Sequence, residues 1–168
     1  MINYIKADLF SHTGPGVKVF LHACNCKGSW GAGVATAFKK HFPSTYDVHR
    51  QYCHQFKSHS SDLLGKCQLI KNSPTDKGFV QLGECFVACA FTSDGFGRNV
   101  LPPQDILKYT EISLRDLESQ LKALDVESYD GKPVVNLPKI NSGLFGVPWE
   151  DTEEILKRID LHFNVYYI

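Results

Sequence analysis

Short apolar runs alternate along this chain with longer segments in which apolar residues recur every three to five positions. Several of the short runs are continuous stretches of Val, Ile, Leu, Phe and Cys, which is typical of strands covered on both faces. These runs predict six β-strands: Ile2–Lys6, Val17–His22, Gly65–Lys71, Glu84–Phe91, Val134–Ile140 and His162–Tyr167.

The segments between the strands carry a helical pattern. In the longest segment apolar side chains recur on one face, and its leading proline suits the first turn of a helix. Ser44 is placed to cap the second helix, and the acidic-then-basic charge order of the last helix complements the helix dipole. The predicted helices are Gly33–His41, Ser44–Phe56, Pro103–Leu124 and Trp149–Ile159.

Strands that alternate with helices predict an α/β fold with a mostly parallel sheet and helices on both sides. The segments Asn72–Gly83 and Asp125–Pro133 are rich in Gly, Pro and Asp, so we expect surface connections there, too short to link separate domains. A length of 168 residues suits a single core. We therefore expect one domain over residues 1–168.

Charge and hydropathy narrow the class of partner. Eighteen basic and eighteen acidic side chains cancel, so no broad positive field attracts nucleic acid or an anionic membrane. No stretch approaches the roughly 20 apolar residues that cross a bilayer, and the first residues lack the apolar core of a secretory signal. We expect a monomer of the cytoplasm, with access to the nucleus, that binds a small molecule.

The six cysteines could in principle staple a secreted domain. A chain of this length buries its own core, however, so free thiols in a reducing compartment are the better interpretation. The last two cysteines lie four residues apart in a predicted strand and should face one side of the sheet as small apolar residues. The six are Cys24, Cys26, Cys53, Cys67, Cys85 and Cys89.

The stretch HACNCKGSWGAG, residues 22–33, joins a predicted strand to a predicted helix. Open α/β sheets bind ligands at such junctions. Bare Gly28, Gly31 and Gly33 let backbone N–H groups approach a ligand, and the start of the helix leaves amides unpaired. This arrangement suits a diphosphate, although a tight turn without a ligand would use the same glycines.

Standard phosphate-loop patterns do not fit this stretch. A P-loop requires Lys followed by Ser or Thr after its last glycine, but Val34 and Ala35 follow Gly33. The dinucleotide pattern beginning at Gly31 requires a third glycine where Thr36 stands. An anionic ligand would therefore be held by another loop geometry.

Two further kinds of site compete for the same residues. A zinc site built on His22, Cys24 and Cys26 lacks a second ligand pair at matching spacing. A cysteine phosphatase would place an arginine six residues after its nucleophile, where Trp30 and Ala32 stand instead. We expect neither a metal ion nor a cofactor, and no thiol chemistry.

A second loop of similar design follows a later strand in NSGLFGVPWEDTEE. Gly143 and Gly146 lie just after the predicted strand Val134–Ile140 and just before the helix at Trp149. Because the first turn of that helix is acidic, phosphate would be held by the amides of the loop and by Ser142, ahead of the helix. The two glycine loops are expected to form opposite walls of one cleft.

The stretches KADLF, HACNCKGSWGAGVATAFKKHFP and PKINSGLFGVPWEDT together resemble the macrodomain family of ADP-ribose-binding domains. The chain is most similar to small fungal members that act as phosphatases on ADP-ribose 1″-phosphate. The resemblance implies a three-layer α/β/α sandwich with a mixed, mostly parallel six-stranded sheet. It also implies the clearance of a by-product of tRNA splicing.

The resemblance further implies roles for individual residues. Asp8 would accept a hydrogen bond from the adenine amino group, Asn25 would bind the distal ribose, and Phe145 would pack on that ribose or on the pyrophosphate. Ala7 and Ala32 replace glycines common in the family, which are small changes. The implied ligand-binding set is Ala7, Asp8, Leu9, Ala23, Cys24, Asn25, Trp30, Gly31, Ala32, Gly33, Val34, Ala35, Asn141, Ser142, Gly143, Leu144, Phe145, Gly146 and Val147.

Catalysis requires a group near the 1″ position that activates water or takes up a phosphoryl group. His22 ends a predicted strand just ahead of Asn25, and Asp94 lies on a third loop, TSDGFG, at the same edge of the sheet. These two residues are our candidate catalytic pair, although each could be an ordinary structural residue.

The expected activity is that of a phosphoric monoester hydrolase acting on ADP-ribose 1″-phosphate without a metal. One alternative is removal of ADP-ribose from glutamate side chains. The lysine and aspartate that serve this reaction in related macrodomains are missing, because Ser93 or Asp94 and Phe145 stand in their places. The other alternative is a non-catalytic ADP-ribose-binding module.

Overall fold

Seven strands make up the sheet in the computed structural model, which describes residues 1–12 and 14–168. Six of them run in the order β1-β7-β6-β2-β4-β3, and the short β5 pairs with β6. Among the described residues, only the pairings β3–β4 and β5–β6 are antiparallel. The strands are β1 Ile2–Lys6, β2 Lys18–Asn25, β3 Cys67–Lys71, β4 Cys85–Ser93, β5 Ser128–Tyr129, β6 Lys132–Leu137 and β7 His162–Tyr167.

Helices cover both faces of the sheet. Alternate residues of β4 enter two separate apolar clusters, Val87 on the side of the first helices and Ala88 on the side of the longest helix. The three-layer α/β/α fold is therefore confirmed, with a mixed and mostly parallel sheet that has seven strands rather than six. The helices are α1 Val34–His41, α2 Pro43–Gln55, α3 Lys77–Leu82, α4 Pro103–Lys122 and α5 Trp149–Leu156.

Each helix in the described part of the chain falls short of the length or the apolar character that a bilayer span demands.

Both predicted surface connections contain regular secondary structure. Residues 72–83 hold α3, and residues 125–133 hold β5 and the start of β6. The predicted cap of α2 is also wrong, because Pro43 opens that helix. The Ser44 amide instead donates to the buried carboxylate of Asp76, 2.9 Å away. Because Asp76 lies 32 residues further along the chain, the residues around the start of α2 carry no local pattern that would predict this cap.

The parallel trio β6-β2-β4 positions the candidate site. Because these neighbours run in the same direction, their carboxyl ends meet at one edge of the sheet. β2 continues three residues beyond its predicted end at His22, and Asn25 is its last residue. The loops that follow the three strands therefore lie side by side.

Candidate functional site

The first ligand loop, residues 26–33, is shaped by the side chain of Asn25 at the end of β2. Its Oδ1 accepts hydrogen bonds from the amides of Lys27 and Ser29, at 2.9 and 3.3 Å, and its Nδ2 donates to the carbonyl of Ser29 at 2.9 Å. The second N–H of Nδ2 has no partner among the described residues. Asn25 therefore holds the loop and keeps one donor for a ligand.

Five successive amides at the end of this loop are free. The N–H groups of residues 31–35 make no hydrogen bond among the described residues. The last two belong to the first turn of α1, where the helix geometry offers them no acceptor. Gly33 has φ +65° and ψ −148°, a conformation that strongly favours glycine. Residues 31–34 are exposed and residue 35 is half-buried, so the row of free donors lies at the surface.

The second ligand loop, residues 141–147, is anchored by the buried Asn141. The side chain of Asn141 accepts from Thr92 Oγ1 at 3.1 Å and donates to Thr110 Oγ1 at 2.9 Å and Thr152 Oγ1 at 3.4 Å. Its carbonyl accepts from the Val147 amide at 2.8 Å, which closes the loop. Asn141 thus fixes the loop to β4, α4 and α5 and is a positioning residue.

The second loop also presents free amides. The N–H groups of residues 142–145 have no acceptor within the described chain, whereas Gly146 N–H is bonded to Gly143 O at 3.0 Å. Ser142 is exposed, and its hydroxyl donates to Lys139 O at 2.6 Å. Successive outward amides of this kind form a concave nest for an anion.

The two loops are in contact with each other. A Cβ built on Gly33 would lie 3.5 Å from Leu144 Cδ1, which is in van der Waals contact. Leu144 is 68% exposed even so, and Val34 beside it is 40% exposed. Free donors from the two loops therefore lie near each other, beside exposed apolar side chains at the edge of the sheet.

We expect Asn141→Ala to lower the free energy of unfolding by about 1–3 kcal/mol, because it leaves buried hydroxyls unpaired and places alanine at φ +65°. Urea unfolding would measure this loss. Ser142→Ala is the matched control, and its effect should stay within about 0.5 kcal/mol because Ser142 is exposed. Equal losses in the two variants would contradict the anchoring role.

Asp94 lies on the third loop, directly after β4. Its carbonyl and that of Ser93 both accept from the Cys26 amide at 3.1 Å, so its backbone adjoins the first ligand loop. Its Oδ1 accepts from Ser60 Oγ at 2.6 Å and lies 3.5 Å from Lys27 Nζ. The Asp94 side chain is 30% exposed, so it is accessible from the cleft edge and held by two partners.

The structure places His22 in the core. Its ring is fully buried, stacks on Phe38 at a centroid distance of 4.1 Å, and packs edge-on against Trp30 at 4.7 Å. Because β2 continues to Asn25, His22 lies about 10 Å below the end of the strand. His22 and Asp94 share no hydrogen bond among the described residues. The predicted catalytic pair is therefore not brought together, and the catalytic role of His22 stays a prediction that this conformation does not support.

At the far end of the site, Asp8 caps a short 3₁₀ turn over Leu9–Ser11. Its Oδ1 accepts from the Phe10 amide at 2.8 Å, and the residue is exposed. The amide of Ala7 bonds to Tyr167 O at 3.0 Å, which ties this turn to β7. Asp8 therefore has a structural role in this turn, and its second carboxylate oxygen has no partner among the described residues.

Several residues in the implied set point inward. Trp30 and Cys24 are 2% and 3% exposed, so their side chains support the loop from below. The buried Nε1 of Trp30 has no hydrogen-bond partner among the described residues. Sequence reasoning missed Lys27 and Ser60, because only the fold brings the segment around residue 60 to Asp94.

The cysteines are all free and buried, as expected, and Cys85 and Cys89 share one face of the sheet, as predicted. Burial raises the pKa of Cys53 to about 12 and that of Cys85 to about 11. At Cys24 burial acts in the same direction, but the hydrogen bond with Cys89 and the nearby His22 lower the pKa below its usual value. The direction of its pKa shift thus distinguishes Cys24 from Cys53 and Cys85.

Two adjacent loops that follow β2 and β6, each with a row of free main-chain donors, place this protein among α/β proteins whose loop geometry suits an anion. The family model described as Macro domain matches residues 21–156. The chain belongs to the macro domain family.

Two curated relatives are similar along their whole length. An ADP-ribose 1″-phosphate phosphatase of Meyerozyma guilliermondii is 50% identical, with 99% of this chain and 98% of the relative covered. The protein of the same name from Debaryomyces hansenii is 48% identical, with 100% and 99% covered. Among solved structures, the macrodomain of Mycobacterium tuberculosis DarG has a TM-score of 0.73 at 21% identity, covering 100% of this chain and 98% of that one.

Proposed function

We propose that this protein is an ADP-ribose 1″-phosphate phosphatase, which hydrolyses the 1″ monoester to ADP-ribose and phosphate. The observation that carries the proposal is the near-full-length identity of 50% to a curated enzyme of that name. The two adjacent loops supply free amide donors, which the pyrophosphate of such a substrate requires. The substrate is a small ADP-ribose derivative.

Each part of the ligand has a counterpart in the cleft. The free amides of residues 31–35 and 142–145 face the pyrophosphate from two sides. The spare N–H of Asn25 serves the distal ribose, and the half-buried Phe145 packs against the sugar or the pyrophosphate. Asp8, held in its turn, accepts from the adenine amino group. The Leu9 amide lies beside this carboxylate.

We place the reaction at Asp94. Its carboxylate takes a proton from a water molecule whose oxygen attacks phosphorus, and the bond between phosphorus and the 1″ oxygen breaks. The departing ribose oxygen takes up a proton from solvent and becomes the hydroxyl of ADP-ribose, and Asp94 releases its proton to solvent. Lys27, 3.5 Å from Asp94, offsets negative charge beside the phosphate. His22 is left out of this scheme because its ring has no exposed surface.

Phosphate release from ADP-ribose 1″-phosphate, measured beside hydrolysis of a glutamate-ADP-ribosylated protein, tests this function. We expect turnover of the first substrate and none of the second, because Phe145 stands where the second reaction uses an aspartate. Release from the protein substrate alone would identify an ADP-ribosyl-glutamate hydrolase. ADP-ribose binding without any turnover would identify a non-catalytic module.

We further propose that the protein acts as a monomer in the cytoplasm and nucleus. Six buried cysteines, none of them in a disulfide, suit a reducing compartment. Sedimentation of the purified chain, together with imaging of a fluorescently tagged copy in cells, would test these two points.

A further inference from the structure

Three donor side chains meet in the core beneath the first ligand loop. His22 on β2 is paired directly with Cys89 on the neighbouring strand β4. Cys24 lies two residues after His22, so it points to the same face of the sheet. His22, Cys24 and Cys89 are all buried, and their donor atoms lie within 4.8 Å of one another. We call this group the Cys₂His cluster.

The distances within the Cys₂His cluster suit coordination of one ion. Nε2 of His22 lies 3.5 Å from Cys24 Sγ and 3.8 Å from Cys89 Sγ. With the two sulfurs also within 4.8 Å of each other, a point equidistant from all three donors lies ~2.1–2.4 Å from each. That range overlaps the usual Zn–N and Zn–S distances, about 2.0–2.3 Å.

Without an ion, the imidazole of His22 has no strong hydrogen-bond partner among the described residues. Among the described residues its ring nitrogens have only sulfur neighbours, at 3.5 to 3.8 Å. Buried polar side chains normally have a stronger partner, and thiols are weak donors and acceptors. Phe38 and Trp30 pack around the same ring, so solvent does not supply a partner.

We propose that His22, Cys24 and Cys89 bind one Zn²⁺ ion that joins β2 to β4. Two thiolates and a neutral imidazole carry two negative charges, which a divalent ion cancels, so the buried group as a whole is neutral. Both thiols lose their protons to solvent as the ion binds. The ion takes no part in the reaction proposed at Asp94. It stabilises the paired strands from which the first and third loops emerge.

The donor set could not be read from spacing alone. The pattern Cys-x-Cys pairs Cys24 with Cys26, but Cys26 lies outside the cluster. The third donor comes from β4, 65 residues after Cys24, and it joins the site only because the strands pair. Zinc sites recognised from sequence usually have two local ligand pairs, and this one has a single local pair, His22 and Cys24.

The test is the zinc content of the full chain, freed of any purification tag. The protein is unfolded with a chelator, refolded with Zn²⁺ under reducing conditions, passed through a desalting column and analysed by elemental mass spectrometry. We expect about one ion per chain for the wild type. Cys24→Ala and Cys89→Ala should each retain less than a tenth of that amount.

Cys85→Ala is the matched control, because Cys85 is equally buried, on the same strand and outside the cluster. It should bind as much zinc as the wild type. Refolding with Co²⁺ should give a thiolate-to-cobalt absorption band in the wild type and in Cys85→Ala, and a weaker band in the other two variants.

A variant that fails to fold does not decide the matter, so the wild type provides a second measurement. Brief alkylation under mildly denaturing conditions, followed by peptide mapping, should show that Zn²⁺ protects Cys24 and Cys89 but not Cys53 or Cys85. A refolded wild type without zinc, or protection spread evenly over the cysteines, would overturn the proposal. Neither readout uses phosphatase turnover, so a failure here is separate from a failure of the proposed function.

Discussion

Gly33→Ala is expected to weaken ADP-ribose binding about 10- to 100-fold. A side chain at φ +65° and ψ −148° is strained by about 1–3 kcal/mol, and relief of that strain rotates the adjacent free amides away from the ligand. The new methyl group also lies 3.5 Å from Leu144 and narrows the cleft. Isothermal titration calorimetry with ADP-ribose measures the loss.

Gly83→Ala provides a closely matched control. Gly83 has φ +75° and ψ −156°, nearly the conformation of Gly33, and lies at the end of α3 outside the candidate site. The two variants should lose similar amounts of unfolding free energy, while only Gly33→Ala loses affinity. If Gly83→Ala weakened binding as much, the effect would come from general destabilisation.

Asp94→Asn is expected to lower kcat for ADP-ribose 1″-phosphate by about 10²- to 10⁴-fold, the range for loss of a general base. Asparagine keeps the size and the bond from Ser60 but cannot take a proton from water. Affinity for ADP-ribose should change less than about threefold, because the amides that we propose bind the pyrophosphate are untouched. Phosphate release and calorimetry on the same preparation separate the two effects.

Asp62→Asn serves as the comparison variant, since Asp62 is an exposed carboxylate two residues from Ser60 and outside the Asp94 contacts. It should retain wild-type turnover. Undiminished kcat in Asp94→Asn would remove Asp94 from the mechanism and leave the phosphatase activity itself standing.

The sequence predicted the strands and loops well where the local residue pattern agrees with the packing in the folded protein. The bounds of β1 and β7 and both glycine loops follow from local residue types, because strands buried on two faces and loops that approach a ligand have distinctive compositions. The short helix α3 was missed because only six residues form it, too few for a periodic pattern. The cap from Asp76 was missed because it is not local.

The placement of His22 shows why site residues are harder to predict than elements. A strand that ended at His22 would carry its ring to the cleft, and the apolar run alone allows that end. Pairing of Ala23, Cys24 and Asn25 with β4 extends the strand by three residues. That extension moves His22 down into the core and brings Asn25 to the rim. The end of β2 is therefore determined by its pairing with the neighbouring strand β4.

The pairing of β1 with β7 has a consequence for synthesis of the protein on the ribosome. Ile2 on β1 pairs with Phe163 on β7. The turn at Asp8 is tied to β7 by the hydrogen bond from the Ala7 amide to Tyr167 O. The turn at Asp8, which we propose binds adenine, therefore has no support until residues 162–167 have been synthesised. The central strands can pair earlier, so in a nascent chain the two glycine loops that follow β2 and β6 can form before this turn is fixed.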